Sequence, residues 1–477
     1  RSNPVCRGGA EVMRIAALLI AIQLFCIGSL SAKPNVLIFL VDDLGWTDLG
    51  YTGSKYYESP NIDALSRESI VFTNAYSNGP NCAPTRACLM SGQYSPRHGI
   101  YTVGDPVRGN HKFRRWTPVE NATVLDDKVV TLAETFSNAG YSTVHLGKWH
   151  LGKDPTTQGF DLNYAGFTGG SPSKGGYHSP YAYPNVVEEK EGRYLTDHLT
   201  DLAVKYIEER SAEEPFFMYM SHYAVHTPIQ AKASVQRRFD SKKPSGSHKS
   251  PKYAAMIASM DESLGRIISA LEDVGKLEET IIVFASDNGG YGGITGQEPL
   301  RGSKGMLYEG GIRVPMLVRL PNGKNKGIES TPVMSMDLYP TLTSYCDIDT
   351  EELMLDGIDL SPRFANGESL PTERAVYWHF PCYLQRYPGL KIDSPFRCVP
   401  SSAIRKGDWK LIHSYETGAI ELYNLAADIG ETTDLSKQKQ EIAESLYGEL
   451  EAWRKRVNAG VPVVKNPRYD PNAKFSK

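Results

Sequence analysis

Uninterrupted apolar runs of strand length recur along the chain, and each gives way abruptly to polar residues. Residues 36–41 stop at Asp42 and Asp43, and 142–146 lead into Gly147, Lys148, Trp149 and His150. Residues 216–220 lead into Ser221 and His222 and then His226, Thr227 and Pro228, and 281–285 into Asp287, Asn288, Gly289 and Gly290. Apolar runs without alternation suit strands buried on both faces, as in a parallel sheet covered by helices. Helical spacing fills the intervals. Residues 129–138 end before Gly140, 196–210 open with Thr and Asp and close with Arg, and the long amphipathic stretch 252–274 stops at Gly275. Strand–helix alternation predicts an α/β fold, and polar groups at the carboxyl ends of such strands mark a ligand crevice.

Near Leu360 the texture changes. Residues 361–372 are rich in Pro, Gly and polar side chains and read as a boundary. Beyond it lie short strand-like runs at 376–380, at 403–413 with a Gly407–Asp408 turn, and at 419–425 after Thr417–Gly418, followed by an amphipathic helix at 441–457. The expectation is a catalytic domain over 33–365 and a small C-terminal α+β domain of antiparallel strands and one helix over 366–477. No internal repeat is visible.

Composition narrows the function. The chain has 477 residues, 40% hydrophobic and 22% charged, with 43 Gly and 30 Pro, a loop-rich globular profile. Its formal charge of −3 provides no field for nucleic acid or an acidic membrane, and the basic stretch 242–252 is interleaved with Ser, Pro and Gly as in a solvated loop. At the start, Met13 and Arg14 precede an apolar run over 15–30 interrupted by Gln23, then Ser31, Ala32 and polar Lys33. This order describes a secretory signal peptide over 1–32, with 1–12 as an upstream extension. The run falls short of a span of about 20 residues, so no stable membrane span is expected. Cys26 would suggest a lipoprotein, but Phe25 before it is bulky. The mature chain is expected to be exported, periplasmic or secreted. Its cysteines are Cys82, Cys88, Cys346, Cys382 and Cys398, an odd set outside the cytoplasm, which flags a reactive or modified thiol. Cys382 and Cys398 are close enough in sequence to pair.

The chemistry is assembled from dispersed residues. Asp42, Asp43, Asp287 and Asn288 offer hard oxygen donors on two strand ends, suited to Ca²⁺ or Mg²⁺. The bland alternative is an Asp–Asp cap and an Asp–Asn–Gly turn. Cys82–Ala83–Pro84–Thr85–Arg86 follows a loop and opens a segment that continues as a helix, placing Cys82 at a helix N-terminus, where an anion is favoured. The alternatives there are a buried structural cysteine or a Cys82–Cys88 disulfide.

These segments resemble the formylglycine-dependent (type I) sulfatase family across essentially the whole mature chain. The resemblance is carried by residues 35–45, by Cys82–Ala83–Pro84–Thr85–Arg86 continuing to Ser91–Gly92–Gln93–Tyr94, by 147–152, 226–228 and 287–289, and by Lys304–Gly305 and 309–315. In the tail, 406–411 and 421–425 look like the family's small C-terminal domain. The resemblance implies an alkaline-phosphatase-like fold with a large, mostly parallel central sheet, and oxidation of Cys82 to formylglycine by a maturation enzyme. The hydrated aldehyde solves a chemical problem, because an ordinary covalent sulfate ester would need a second difficult cleavage. One hydroxyl attacks sulfur and the alcohol leaves with S–O cleavage. The other then loses its proton, expels sulfate and restores the aldehyde. By the same resemblance Asp42, Asp43, Asp287 and Asn288, with an oxygen on residue Cys82, hold one Ca²⁺ that neutralises growing charge. Arg86 and Lys148 steady the formylglycine oxygens and Lys304 grips sulfate. His226 is assigned the acid and His150 the base, roles that are exchangeable.

Two stretches suggest contacts to an anionic sugar: His98, Arg108, His111, Lys112, Arg114, Arg115 with Trp116, and Tyr377, Trp378, His379, Tyr383, Arg386, Tyr387. Arg386 is expected to bind glycan, and small-domain core or surface charge is the alternative. Asn121–Ala122–Thr123 is a glycosylation sequon. The expected function is a sulfatase acting on sulfated carbohydrate. The rivals are a phosphodiesterase or phosphonate hydrolase on the same scaffold, and a non-catalytic sulfated-glycan-binding protein.

Overall fold

The strands at 35–41, 216–221 and 280–286 alternate their apolar side chains between two separate cores, which is why their sequences read as unbroken apolar runs. Leu37, Phe39, Val41, Phe216, Met218, Met220, Ile282 and Phe284 enter one core, while Val36, Ile38, Leu40, Phe217, Tyr219, Ile281, Val283 and Ala285 enter the other. Each fully buried Val, Leu, Ile, Phe or Met among them contributes about 1.5–3 kcal/mol. The computed structural model describes residues 33–173, 176–211, 214–371 and 373–475. The expected leader 1–32, with Met13 and Cys26, lies outside the described residues.

The central sheet comprises β1 (Asn35–Val41), β2 (Ile70–Phe72), β3 (Ser142–Gly147), β4 (Leu162–Tyr164), β5 (Phe216–Ser221), β6 (Thr280–Ser286), β7 (Met316–Arg319) and β8 (Gly327–Glu329). Its order is β8-β2-β7-β6-β1-β5-β3-β4, and every pairing is parallel except the two made by β7. The four strands read from the sequence are its centre and one flank, and the sheet is large and mostly parallel as expected. The added strands β2, β4, β7 and β8 are three or four residues long, too short for a periodic signal.

Helices cover both faces. Leu195–Glu208 and Pro251–Asp273 pack on the first core; Cys82–Ser91, called α1 here, Leu132–Asn138 and Leu338–Tyr345 pack on the second. Thr131 caps Leu132–Asn138 through a capping box with Glu134, so this helix begins later than its apolar spacing suggests. Among the described residues no helix is long and apolar enough to cross a membrane.

A second, antiparallel sheet is built from Ala375–Phe380, Ser401–Lys406, Trp409–Ser414 and Ile420–Asn424 in that order, with helix Gln440–Arg456 against it. Its core is continuous with residues of the larger part: Tyr76, Cys88, Tyr94 and Met334 share one apolar cluster with Trp378, Leu411 and Trp453. Trp378 Nε1 donates to the Ser77 carbonyl at 2.8 Å, and Lys410 bridges the buried carboxylates of Glu309 and Glu431 at 2.9 and 2.8 Å. The segment expected to be a plain boundary loop contains a short helix, Ser361–Asn366, whose Phe364 is buried. Cys82, Cys88, Cys382 and Cys398 are buried thiols, and Cys88 Sγ lies 3.4 Å from His98 Nε2, so neither disulfide considered above is formed.

Candidate active site

Strand register brings the polar groups together. Leu40 and Val41 pair with Ala285 and Ser286, so the two residues that follow each strand, Asp42–Asp43 and Asp287–Asn288, emerge side by side. Ser221 pairs with both Leu40 and Gly147, which sets Lys148 and His222 at the same level. Gly147 adopts φ +101°, and a Cβ there would lie 2.0 Å from the Ser221 carbonyl oxygen. Only glycine permits that turn, and it lets the Lys148 amide donate to the same carbonyl at 2.7 Å. Asp43 and His150 hold positive φ of 62° and 65° despite carrying side chains, strain of the kind concentrated at functional sites.

Cys82 is the first residue of α1, after Asn81 in extended conformation. Its Sγ lies 3.5 Å from Asp42 Oδ1 and 3.4 Å from Lys304 Nζ. Lys304 Nζ also contacts Asp43 at 2.6 Å, and Lys148 Nζ donates to Asp42 Oδ2 at 2.5 Å. His226 Nε2 is 3.6 Å from Asp43 Oδ2, its ring fixed by Nδ1 against the Thr227 carbonyl at 2.7 Å. One turn along α1, fully buried Arg86 directs Nε and Nη2 onto Asp287 Oδ2 at 2.9 and 2.7 Å, and Nη1 onto the Lys148 carbonyl and Ser221 Oγ. With Cys82 unmodified, the donors of Arg86 point to Asp287, the Lys148 carbonyl and Ser221 Oγ. These contacts tie Arg86 to the buried Asp287 carboxylate and to the ends of two strands. His150 joins Cys82, Lys304 and His226 in lining a cavity of about 380 Å³ above the strand ends.

The charges are unequal in environment. Burial, then the neighbouring Asp287, raise Asp42 to about 7. Burial would raise Asp43 too, but Lys304, His226 and Lys148 outweigh it and hold the carboxyl below the usual range. Burial and then Asp42 push the Cys82 thiol up to about 12, so the unmodified side chain is a neutral thiol near neutral pH. Burial and then Lys304 lower His226 to about 4, and burial with Lys148, Arg86 and Lys304 lowers His150 well below its ordinary value.

The hard donors of the site are the buried carboxylates of Asp42 and Asp43 and the amide oxygen of Asn288. Ligand atoms of Asp42, Asp43, Cys82 and His226 lie within 4.8 Å of one another. Asn288 donates Nδ2 to Asp43 Oδ1 at 2.8 Å, yet its buried Oδ1 has no hydrogen-bond partner. An orphaned amide oxygen beside three aspartates is what an oxygen-ligated ion would satisfy.

The proposed sugar-contact stretches divide. Tyr377 stacks on Trp453 in the second core, Trp378 is buried there, and His379 is held by Ser402 Oγ and the Gly460 carbonyl. His98 is buried against Cys88, and Arg114 donates to the carbonyls of Val107, Arg108 and Gly109. Arg386 lies over the Phe475 ring at 4.9 Å and is not among the residues lining the cavity over Cys82. Arg108 does line the cavity, as do Tyr291 and Arg397, which sequence reasoning missed. The sequon is a turn rather than a free acceptor: Asn121 Nδ2 donates to the Thr102 and Gly104 carbonyls, and Oδ1 accepts from the amides of Tyr101 and Thr102.

Comparison with known proteins agrees with this geometry. Residues 34–348 match the sulfatase family model, and 302–456 match the model for the C-terminal part of N-sulphoglucosamine sulphohydrolase. A sulfatase of Formosa agariphila is 33% identical, over 93% of this chain and 94% of its own length. Human N-acetylgalactosamine-6-sulfatase is 30% identical, over 72% of this chain and 68% of its own. The crystal structure of Ps i-CgsB in complex with k-i-k-neocarrahexaose superposes with a TM-score of 0.73 at 30% identity, covering 91% of this chain and 94% of that one.

Proposed function

Since the chain belongs to the sulfatase family and is a sulfuric ester hydrolase of alkaline-phosphatase-like fold, we propose that it removes sulfate from sulfated carbohydrate through a formylglycine made from Cys82, with one Ca²⁺ held by Asp42, Asp43, Asp287 and Asn288. The observation that carries this reading is the convergence of Asp42 and Lys304 on the side chain of the first residue of α1. The hydrated aldehyde would supply a nucleophilic hydroxyl and a second hydroxyl whose deprotonation releases sulfate. The ion would lower the pKa of groups bound to it and offset charge developing on the sulfuryl oxygens.

The chain's own residues then divide the work. Lys304, reaching both Asp43 and position 82, would hold a sulfate oxygen as a point charge. Lys148 on Asp42 and Arg86 on Asp287 keep two acidic donors oriented in a fully buried setting. Asp43 beside Nε2 favours protonated His226 but does not outweigh burial and Lys304, so its role as donor to the departing oxygen would rest on the added negative charge of a bound sulfate ester. His150 faces the cavity among cations, has an unpartnered buried Nδ1, and suits the base. On this reading residues 33–365 carry the reaction and 366–477 form a supporting C-terminal domain. Export would deliver the chain to an extracellular or periplasmic polysaccharide. The sulfated-carbohydrate assignment draws on the relatives, which include an N-acetylgalactosamine-6-sulfatase and a structure bound to a neocarrahexaose.

Dialysis against a chelator is expected to lower aryl sulfate hydrolysis by at least about 100-fold, with Ca²⁺ restoring it. In parallel, the matched aryl phosphate should be turned over far more slowly than the sulfate. Full activity after verified metal removal would refute the ion's role, and preference for the phosphate would favour a phosphohydrolase.

A further inference from the structure

The cavity over Cys82 contains two arginines that the hydrolytic machinery does not use. Arg108 and Arg397 both line it, together with Lys304 and the two histidines. Among the described residues neither has a carboxylate within ion-pair distance, whereas the cations deeper in the site do: Lys304 has Asp43, Lys148 has Asp42 and Arg86 has Asp287. Arg108 is anchored by donating to the carbonyls of Val103 and Asp105. Arg397, on the short strand Phe396–Cys398, lies over the Tyr387 ring at 5.7 Å, and its buried Nε has no hydrogen-bond partner.

Backbone geometry holds Arg397 close to the reaction centre. Gly305, directly after Lys304, has φ +87°, and a Cβ there would lie 2.4 Å from Arg397 Nε. The absent side chain lets the guanidinium rest on the main chain next to the residue that contacts Cys82. The Gly305 amide in turn donates to the Pro80 carbonyl at 2.6 Å, tying this turn to the loop before α1. Arg397 also forms part of the wall of a second cavity of about 420 Å³, lined by Gln297, Arg301, Tyr308, Tyr387 and Phe396. Arg301 there already has partners, the Tyr423 hydroxyl and the Glu431 carbonyl. Arg397 therefore stands between the reaction cavity and room for a neighbouring residue of a substrate chain.

We propose that Arg108 and Arg397 form a second anion subsite beside the hydrolytic centre, so that the carbohydrate taken here carries two anionic groups, one cleaved at position 82 and a second, sulfate or carboxylate, retained by the arginine pair. Two partly desolvated guanidiniums facing one cavity repel each other, and burial pulls both below their ordinary basicity. An anion between them relieves both effects and receives planar, bidentate donors. Arg397 and Arg108 are thereby specificity residues, separate in role from Lys304.

This inference rests on the sulfatase reading, and its test does not need turnover. In a Cys82→Ala background, Kd is measured by calorimetry for three disaccharides: one singly sulfated, one doubly sulfated, and one carrying a single sulfate and a uronic carboxylate. The expected result is at least about tenfold tighter binding of one or both dianions than of the monoanion. That ratio should fall to about twofold or less with added Arg397→Ala, be partly kept by Arg397→Lys, and shrink as salt is raised. Which dianion gains identifies the second group. A ratio near one in the Arg397-containing protein, or a ratio unchanged by Arg397→Ala, overturns the subsite. Either result leaves the sulfatase reading untouched, because that reading stands or falls on turnover by the Cys82-containing enzyme.

Discussion

Replacing Cys82 with Ala is expected to lower kcat/KM on an aryl sulfate by about 10⁵-fold, while the protein stays folded. The size follows from the role. Position 82 would carry both the attacking oxygen and the one that later expels sulfate, so its loss removes both half-reactions rather than weakening one. Folding should survive because residue 82 opens a helix, where Ala is well tolerated, and among the described residues the thiol's polar contacts are the two long ones to Asp42 and Lys304. Cys88→Ala is the control. Cys88 lies in the same helix, but its sulfur meets His98 and packs in the apolar cluster shared with the C-terminal sheet. Comparable activity loss in both variants, with both folded, would mean that α1 itself and not the chemistry of position 82 is being perturbed.

Arg86→Ala should destabilise the protein by about 3–5 kcal/mol, the usual consequence of leaving a buried charge without its partner. Asp287 is fully buried, and Arg86 Nε and Nη2 both converge on its Oδ2. The same side chain holds the Lys148 carbonyl and Ser221 Oγ, so the ends of β3 and β5 loosen together. Arg86→Lys should recover little of this, since an ammonium cannot replace a fork directed at three acceptor groups at once. Urea unfolding measures the loss. A change below about 1 kcal/mol would show that Asp287 is compensated by something other than Arg86.

Much of this site is visible in the sequence because of how a parallel sheet works. When strands run in one direction and are buried on both faces, each must change from apolar to polar at its carboxyl end, and all those ends lie at one level. Asp42, Lys148, Ser221 and Asp287 are therefore identifiable as neighbours despite separations of many tens of residues. The antiparallel turn of β7 and the three-residue β2 and β8 were not legible, since their pairing depends on the sheet already present. Arg397 was hidden for a different reason. It lies on a three-residue strand in the C-terminal part and reaches the cavity only because Gly305 leaves space, a contact between segments that no local pattern encodes. Arg386, eleven positions earlier, packs on Phe475 instead. The Cys382 and Cys398 thiols and the occupied Asn121 amide make the same point: spacing and motif say what a residue is able to do, and its neighbours decide what it does.

The most direct test of the central claim is peptide mass spectrometry across residue 82 on protein made in its native host. The account predicts that the cysteine has lost sulfur and two hydrogens and gained one oxygen, and that an aldehyde reagent captures the product. An unmodified thiol at Cys82 throughout a preparation that still hydrolyses sulfate esters would contradict it.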